Sequence, residues 1–137
     1  MAEESLENSS EDSFFLQGVD TTNALLVRQT LRSGQNIQSK PSVVMMGDLN
    51  AGAEIVSEGD IIVLGAIRGM VHAGASGNRN ALVFALRMQP TQIRIAEMIT
   101  QPPAEDKNFT SFEPEVAFIE GQSIVLSSKD IKNFVSK

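Results

Sequence analysis

The chain has 137 residues, room for one domain with a modest core. It contains no cysteine, tryptophan or tyrosine and a single histidine, His72; this excludes disulfides and thiolate or His-rich metal sites and argues against a Ser-His-Asp triad. The net charge of −6 is concentrated at the start, where Glu3, Glu4, Glu7, Glu11 and Asp12 stand without a base.

From residue 14 onward there are 12 acids and 11 bases, so the remainder is close to neutral. Such a surface lacks the basic stripe of a nucleic-acid binder, and no nucleic acid is expected as a partner. No apolar run approaches the ~18 residues of a membrane span. The acidic, polar start is unlike a signal peptide. A cytoplasmic placement without intrinsic membrane insertion is the expectation, and any membrane role has to come through a partner.

Residues 1–22 read as an acidic, disordered lead-in or linker, because the first 13 are too rich in Glu, Ser and Asn to bury much surface. From Leu25 a period of six begins. Leu25, Leu31, Ile37, Val43, Leu49, Ile55, Ile61, Ile67 and Ala73 are all apolar. With 42% apolar residues overall, nine successive hits arise by chance roughly a few times in ten thousand. Six fits neither a helix nor a lone strand; it fits a coil with three flat faces of about six residues each, or about 18 per coil. "ALLV" at Ala24, "SVVM" at Ser42 and "DIIV" at Asp60 start 18 apart. Stacked coils place like on like, so one inward column of aliphatics becomes a continuous core. Small residues two before an inward position (Gly47, Ala53, Gly59, Gly65) suit tight corners.

After Ala73 the rhythm slips at "GASGNRN", a turn signal read as a two-residue loop insertion before a further coil. Ile93 and Ile95 alternate as in a strand. "TQPPAEDKN", residues 100–108, reads as a loop, and the apolar runs either side of "EGQS" read as a strand–turn–strand cap. Ser127 and Asp130 form a loose capping box, so 127–137 is a tail with a possible short helix. The domain is then residues 23–126. The competing fold is a β-sandwich of short strands, which also repeats turn signals but does not hold a six-residue register over nine steps.

Triangular solenoids serve two kinds of function. One is hexapeptide-repeat acyl transfer, which here would need His72 as general base; turnover lost in His72→Ala would identify it. The other is docking and assembly, including filaments of stacked solenoid ends, which would show scattering that rises with concentration and never plateaus at a dimer. Asp48, Glu54, Glu58 and Asp60 are close in sequence but fall on different faces or corners, and read as solvated turn residues rather than a metal site. Arg32 and Arg68 lie 36 apart, two coils, each just after an inward residue, with Asn50 between them. They either are solvated charges or form an outward arginine column able to pair with a partner's carboxylates. Val44, Met46, Ile62 and Leu64 lie outside the inward column and are candidates for an exposed apolar face.

"LRSGQ" at 31–35, "GDLNAGAEIVSEGDIIVLG" at 47–65, "IRGMVHAGASGN" at 67–78 and "PTQIRIA" at 90–96 resemble, in order and spacing, the C-terminal domain of the MinC septum-site-determining family. The resemblance implies an all-β fold, a short right-handed triangular β-helix with C-terminal strands. It implies a homodimer through one apolar face, no catalytic residues, no cofactor and no metal. It implies docking onto ATP-bound MinD, a membrane-associated ATPase, through Arg32, Ser33, Gly34 and Gln35, with Gly52 and Arg68 as neighbours. Family members act in bacterial cell division as inhibitors of FtsZ assembly, recruited by MinD to the inner face of the cell membrane. In the family a separate N-terminal domain does most of that inhibition. Residues 1–22 are too short to be that domain, so the chain is expected to act on FtsZ indirectly or weakly.

Overall fold

The computed structural model describes residues 23–101 and 113–128, and among these there is no helix. The expected lead-in (1–22), most of the Pro-containing loop and the tail helix lie outside the described residues. The described residues form eleven strands: β1 (Ala24–Val27), β2 (Asn36–Ser39), β3 (Ser42–Met45), β4 (Glu54–Ser57), β5 (Ile61–Ile67), β6 (Met70–Ala73), β7 (Val83–Met88), β8 (Gln92–Ile95), β9 (Met98–Thr100), β10 (Glu115–Glu120) and β11 (Ser123–Ser127). They wind through about four coils of a β-solenoid. One side is a six-stranded sheet in the order β1-β3-β5-β7-β10-β11, the second a five-stranded sheet in the order β2-β4-β6-β8-β9. Pairing is parallel as far as β7 and β8, and antiparallel where β9, β10 and β11 close the C-terminal end.

The 18-residue offset is the register of the ladder. Ala24 pairs with Ser42, Val43 with Ile61, and Ile37 with Ile55. Side chains alternate across each strand, so Val43 and Met45, Ile61 and Val63, Val71 and Ala73, and Ile93 and Ile95 all point inward and are buried. Leu25 belongs to the same column but sits on the first coil, where nothing described covers it, and it is 41% exposed. At the other end Ile119, Ile124 and Leu126 of the β10–β11 hairpin pack against the core.

The third side is narrower than three equal faces would require. It consists of single-residue bridges, Leu31 to Leu49 and Leu49 to Ile67. Two further details depart from the sequence reading. The inserted loop adds six residues, not two, since Val71 and Val83 stand twelve apart where their partners Ile55 and Ile61 stand six apart. And the coil shortens by two residues between Ile67 and Val71, because Ile55 pairs with Val71 only 16 residues on.

The corners are held by a ladder of side-chain caps. The Thr30 hydroxyl accepts from the Asp48 N–H (3.2 Å) and Asp48 Oδ1 from the Ala66 N–H (2.8 Å). At the next corner the Ser42 hydroxyl accepts from the Asp60 N–H (2.9 Å) and Asp60 Oδ1 from the Leu82 N–H (3.0 Å). Asp48 and Asp60 are therefore not simply solvated: each accepts a backbone donor of the following coil that the turning strand leaves unpaired. Ser57, fully buried, donates to Pro41 O and accepts from the Gly59 N–H at the same corner.

Candidate partner-binding corner

Arg32–Gln35 is a tight turn on the corner between the narrow side and the five-stranded sheet. The Gln35 N–H donates to Arg32 O (2.9 Å), and Gly34 has φ +90°, the left-handed region that a type II turn demands at its third residue. The Gln35 side chain closes the loop from the other direction, its Oε1 accepting from the Arg32 N–H at 2.7 Å. One carboxamide oxygen is thus spent on rigidity. The Arg32 guanidinium, the Ser33 hydroxyl and the Gln35 NH2 group remain on exposed residues. A Cβ at Gly34 would meet nothing within 4 Å, so this backbone faces open space.

The next coil repeats the turn. The Ala53 N–H donates to Asn50 O (3.0 Å), and Gly52 has φ +86°. The two turns are stitched together by hydrogen bonds from the Gly34 N–H to Gly52 O (2.9 Å) and from the Glu54 N–H to Gln35 O (3.1 Å). The place a Cβ on Gly52 would occupy is filled by the Ser33 side chain. Gly52 is thus the seat on which the first turn rests.

Arg68 lies one coil beyond, in register with Arg32 and Asn50 through the Leu31–Leu49–Ile67 bridges. It reaches Asp48 Oδ2 at 3.9 Å, with both side chains over two-fifths exposed, a contact worth at most about 1 kcal/mol. Arg32, which is exposed, forms no ion pair among the described residues. The corner is therefore a small, rigid, hydrogen-bonding surface bearing two guanidinium groups.

His72 is elsewhere, on the outer surface of β6 in the five-stranded sheet. Its Nε2 donates to Ala96 O at 3.0 Å and the residue is half-buried. This bond ties β6 to the β8–β9 turn, where Ala96 has φ +54°. No group of three or more His, Asp or Glu able to hold a metal occurs among the described residues, nor is any helix there long and apolar enough to cross a membrane.

Sequence reasoning missed the outer apolar row as a single surface. Leu26, Val44, Ile62 and Phe84 pair in succession across β1, β3, β5 and β7. Met46, Leu64 and Leu86, exposed by 51%, 43% and 42%, stand beside them. Val44, Met46, Ile62 and Leu64 were legible as outward positions; Leu26, Phe84 and Leu86 join them only once the register is known.

Residues 25–129 match the family model "Septum formation inhibitor MinC, C-terminal domain". Among curated proteins, the chain is 48% identical over 106 residues to a probable septum site-determining protein MinC of Acetivibrio thermocellus, covering 77% of this chain and 47% of that protein. It is 42% identical over 123 residues to the corresponding protein of Sulfurihydrogenibium, covering 88% and 61%. The chain spans from 31% to 61% of the length of such curated relatives. Among solved structures it resembles a chain of the MinC:MinD cell division protein complex of Aquifex aeolicus, with TM-score 0.72 and 33% identity, covering 84% of this chain and 98% of that one.

Proposed function

The chain belongs to the family of MinC C-terminal domains, and from that premise we propose that it is a non-enzymatic, homodimeric adaptor of bacterial septum placement. It docks onto the ATP-bound form of a MinD-type ATPase through Arg32, Ser33, Gly34 and Gln35. The ATPase carries it from the cytoplasm to the inner face of the cell membrane, so that inhibition of FtsZ assembly is placed away from midcell. Its own contact with FtsZ is indirect or weak.

The observation that carries this reading is the Arg32–Gln35 turn: exposed, locked by its own hydrogen bonds, and left free to offer a guanidinium fork to a carboxylate or carbonyl acceptor. The similar solved chain comes from a complex described as MinC:MinD. Dimerisation is assigned to the outer face of the six-stranded sheet, where a contiguous apolar patch of this kind marks an association surface. A two-fold axis there would set the patch of one protomer against the same patch of its partner.

The test is binding of this chain to MinD with ATP, wild type against Arg32→Ala, with size-exclusion light scattering on both. The expected result is a dimer in both cases, with binding by the wild type alone. Equal binding by the two would reduce the corner to a turn.

A further inference from the structure

The Arg32–Gln35 turn is the first member of a longer feature. Arg32, Asn50, Arg68 and Gln89 each follow an inward residue of successive coils (Leu31, Leu49, Ile67, Met88). The backbone aligns them: the Asn50 N–H donates to Leu31 O (3.0 Å), the Arg68 N–H to Leu49 O (2.7 Å) and the Gln89 N–H to Ile67 O (2.9 Å). Neighbouring strands are ~4.8 Å apart, so the four side chains form a column roughly 14 Å long. All four carry N–H donors and none is an acid. The nearest carboxylate, Asp48, has Oδ1 committed to the Ala66 N–H.

The column is also stepped. Six residues lead from Leu31 to Ile37 and from Leu49 to Ile55, the pairs of which stand in register. Four lead from Ile67 to Val71 and five from Met88 to Ile93. The first two coils therefore carry projecting turns, Arg32–Gln35 and Asn50–Ala53, while the next two are cut short. The cut corner lies tight against the second turn. The Met70 N–H donates to Ala53 O (3.0 Å), and a Cβ on Gly69 would stand 2.6 Å from Asn50 O. The Thr91 N–H in turn donates to Gly69 O (3.1 Å). The result is a ledge, with the paired turns as its wall and Arg68 and Gln89 on its floor.

We propose that the surface for the MinD-type partner runs the length of this column, with Asn50 and Gln89 as contact residues beside Arg32 and Arg68. The surface fits a partner edge that presents a line of acceptors, carboxylates and backbone carbonyls, and that seats against the step. This rests on the MinD reading above and adds two residues and an extent to it. Its physical basis is charge complementarity and continuity with the turn: four donors in line match a row of acceptors, and a concave step excludes water from those hydrogen bonds better than a lone turn does.

The experiment uses the full chain and purified MinD with ATP. Asn50→Asp and Gln89→Glu keep side-chain shape while replacing a donor by a negative charge. Gln38→Glu, on an exposed residue of β2 outside the column, makes the same charge change as a control. Circular dichroism and light scattering establish that each variant keeps its fold and oligomeric state. The expected result is binding weakened tenfold or more in Asn50→Asp and in Gln89→Glu, and within twofold of wild type in Gln38→Glu. If Arg32→Ala loses binding while Asn50→Asp and Gln89→Glu bind as wild type, contact is confined to the turn and this inference is overturned with the MinD reading intact. Equal weakening in the control would trace the effect to net charge and overturn it too. A wild type that does not bind MinD removes the proposed function itself.

Discussion

A serine side chain stands where a Cβ on Gly52 would have to go, and that contact separates the two glycines of the stacked turns. Gly34 faces open space, so a substitution there meets only the cost of its positive φ, about 1–2 kcal/mol and least for Asp or Asn. Gly34→Asp should melt close to wild type yet lose MinD binding, because charge and bulk now occupy the approach to the backbone. Gly52→Ala meets the same conformational cost together with overpacking of about 1–3 kcal/mol. It should lower the melting temperature more than Gly34→Asp and weaken binding by displacing Ser33. Adding Ser33→Gly to Gly52→Ala removes the crowding and should recover part of the lost stability; thermal denaturation of the three variants decides this. Asp60 makes a different kind of prediction. Its Oδ1 satisfies the Leu82 N–H, so Asp60→Ala leaves a donor unpaired at a cost of about 1–3 kcal/mol in urea unfolding. Asp60→Asn keeps an acceptor and should lose less.

At the scale of strands, the core is a stack of aliphatic rungs with no aromatic side chain among its buried members in the described residues. Removing a rung leaves a cavity that parallel ladders on two sides cannot collapse around. Ile55→Ala, at a site with no solvent exposure, should cost about 2–5 kcal/mol in chemical denaturation. The two C-terminal hairpins are also joined to each other by a side chain. Arg79, in the inserted loop, reaches Glu97 at 3.1 Å and Gly121 O at 3.3 Å, joining the β8–β9 and β10–β11 turns. Both partners of the ion pair are well exposed, so Arg79→Ala should cost less than about 1 kcal/mol of global stability. Its effect should show instead as faster amide exchange in β9 and β11 than in β3–β6.

For the whole molecule, the two broad faces differ in kind. The outer face of the six-stranded sheet is apolar across four strands, whereas the five-stranded sheet shows Glu54, Gln92 and Arg94. Apolar side chains left in water at this density are relieved by association. Leu64→Glu, which places a charge within the patch, should convert a dimer to a monomer in light scattering without unfolding it, since Leu64 is already 43% exposed. A chain that stays dimeric would move the interface elsewhere. The proposed docking column lies on the narrow side rather than on this sheet, so a dimer formed through the patch would present two columns, one from each protomer.

The coil itself was determined by the sequence alone, for a physical reason. A parallel solenoid stacks each residue on its equivalent 18 positions later, so tertiary contacts repeat as a linear period and Leu25 to Ile67 can be read without coordinates. The projecting turn was legible in the same way, since Gly34 and Gly52 fall one coil apart. What escaped was one change that preserves parity and the length of another. Dropping two residues between Ile67 and Val71 leaves Ala73 inward, and inserting six residues before Val83 keeps Val83 inward, because strands alternate with period two. A six-residue test passes over the first shift, since it still lands on Ala73, and shows the second only as a slip after Ala73, without its length; yet the first of them creates the ledge. The roles of Asp48 and Asp60 were hidden for a related reason: their backbone partners, 18 and 22 residues away, become neighbours only when the coils stack. The sequence thus sufficed for the repeating unit, while the exceptions to the repeat, and with them the shape of the proposed docking surface, were decided by how one coil rests on the next.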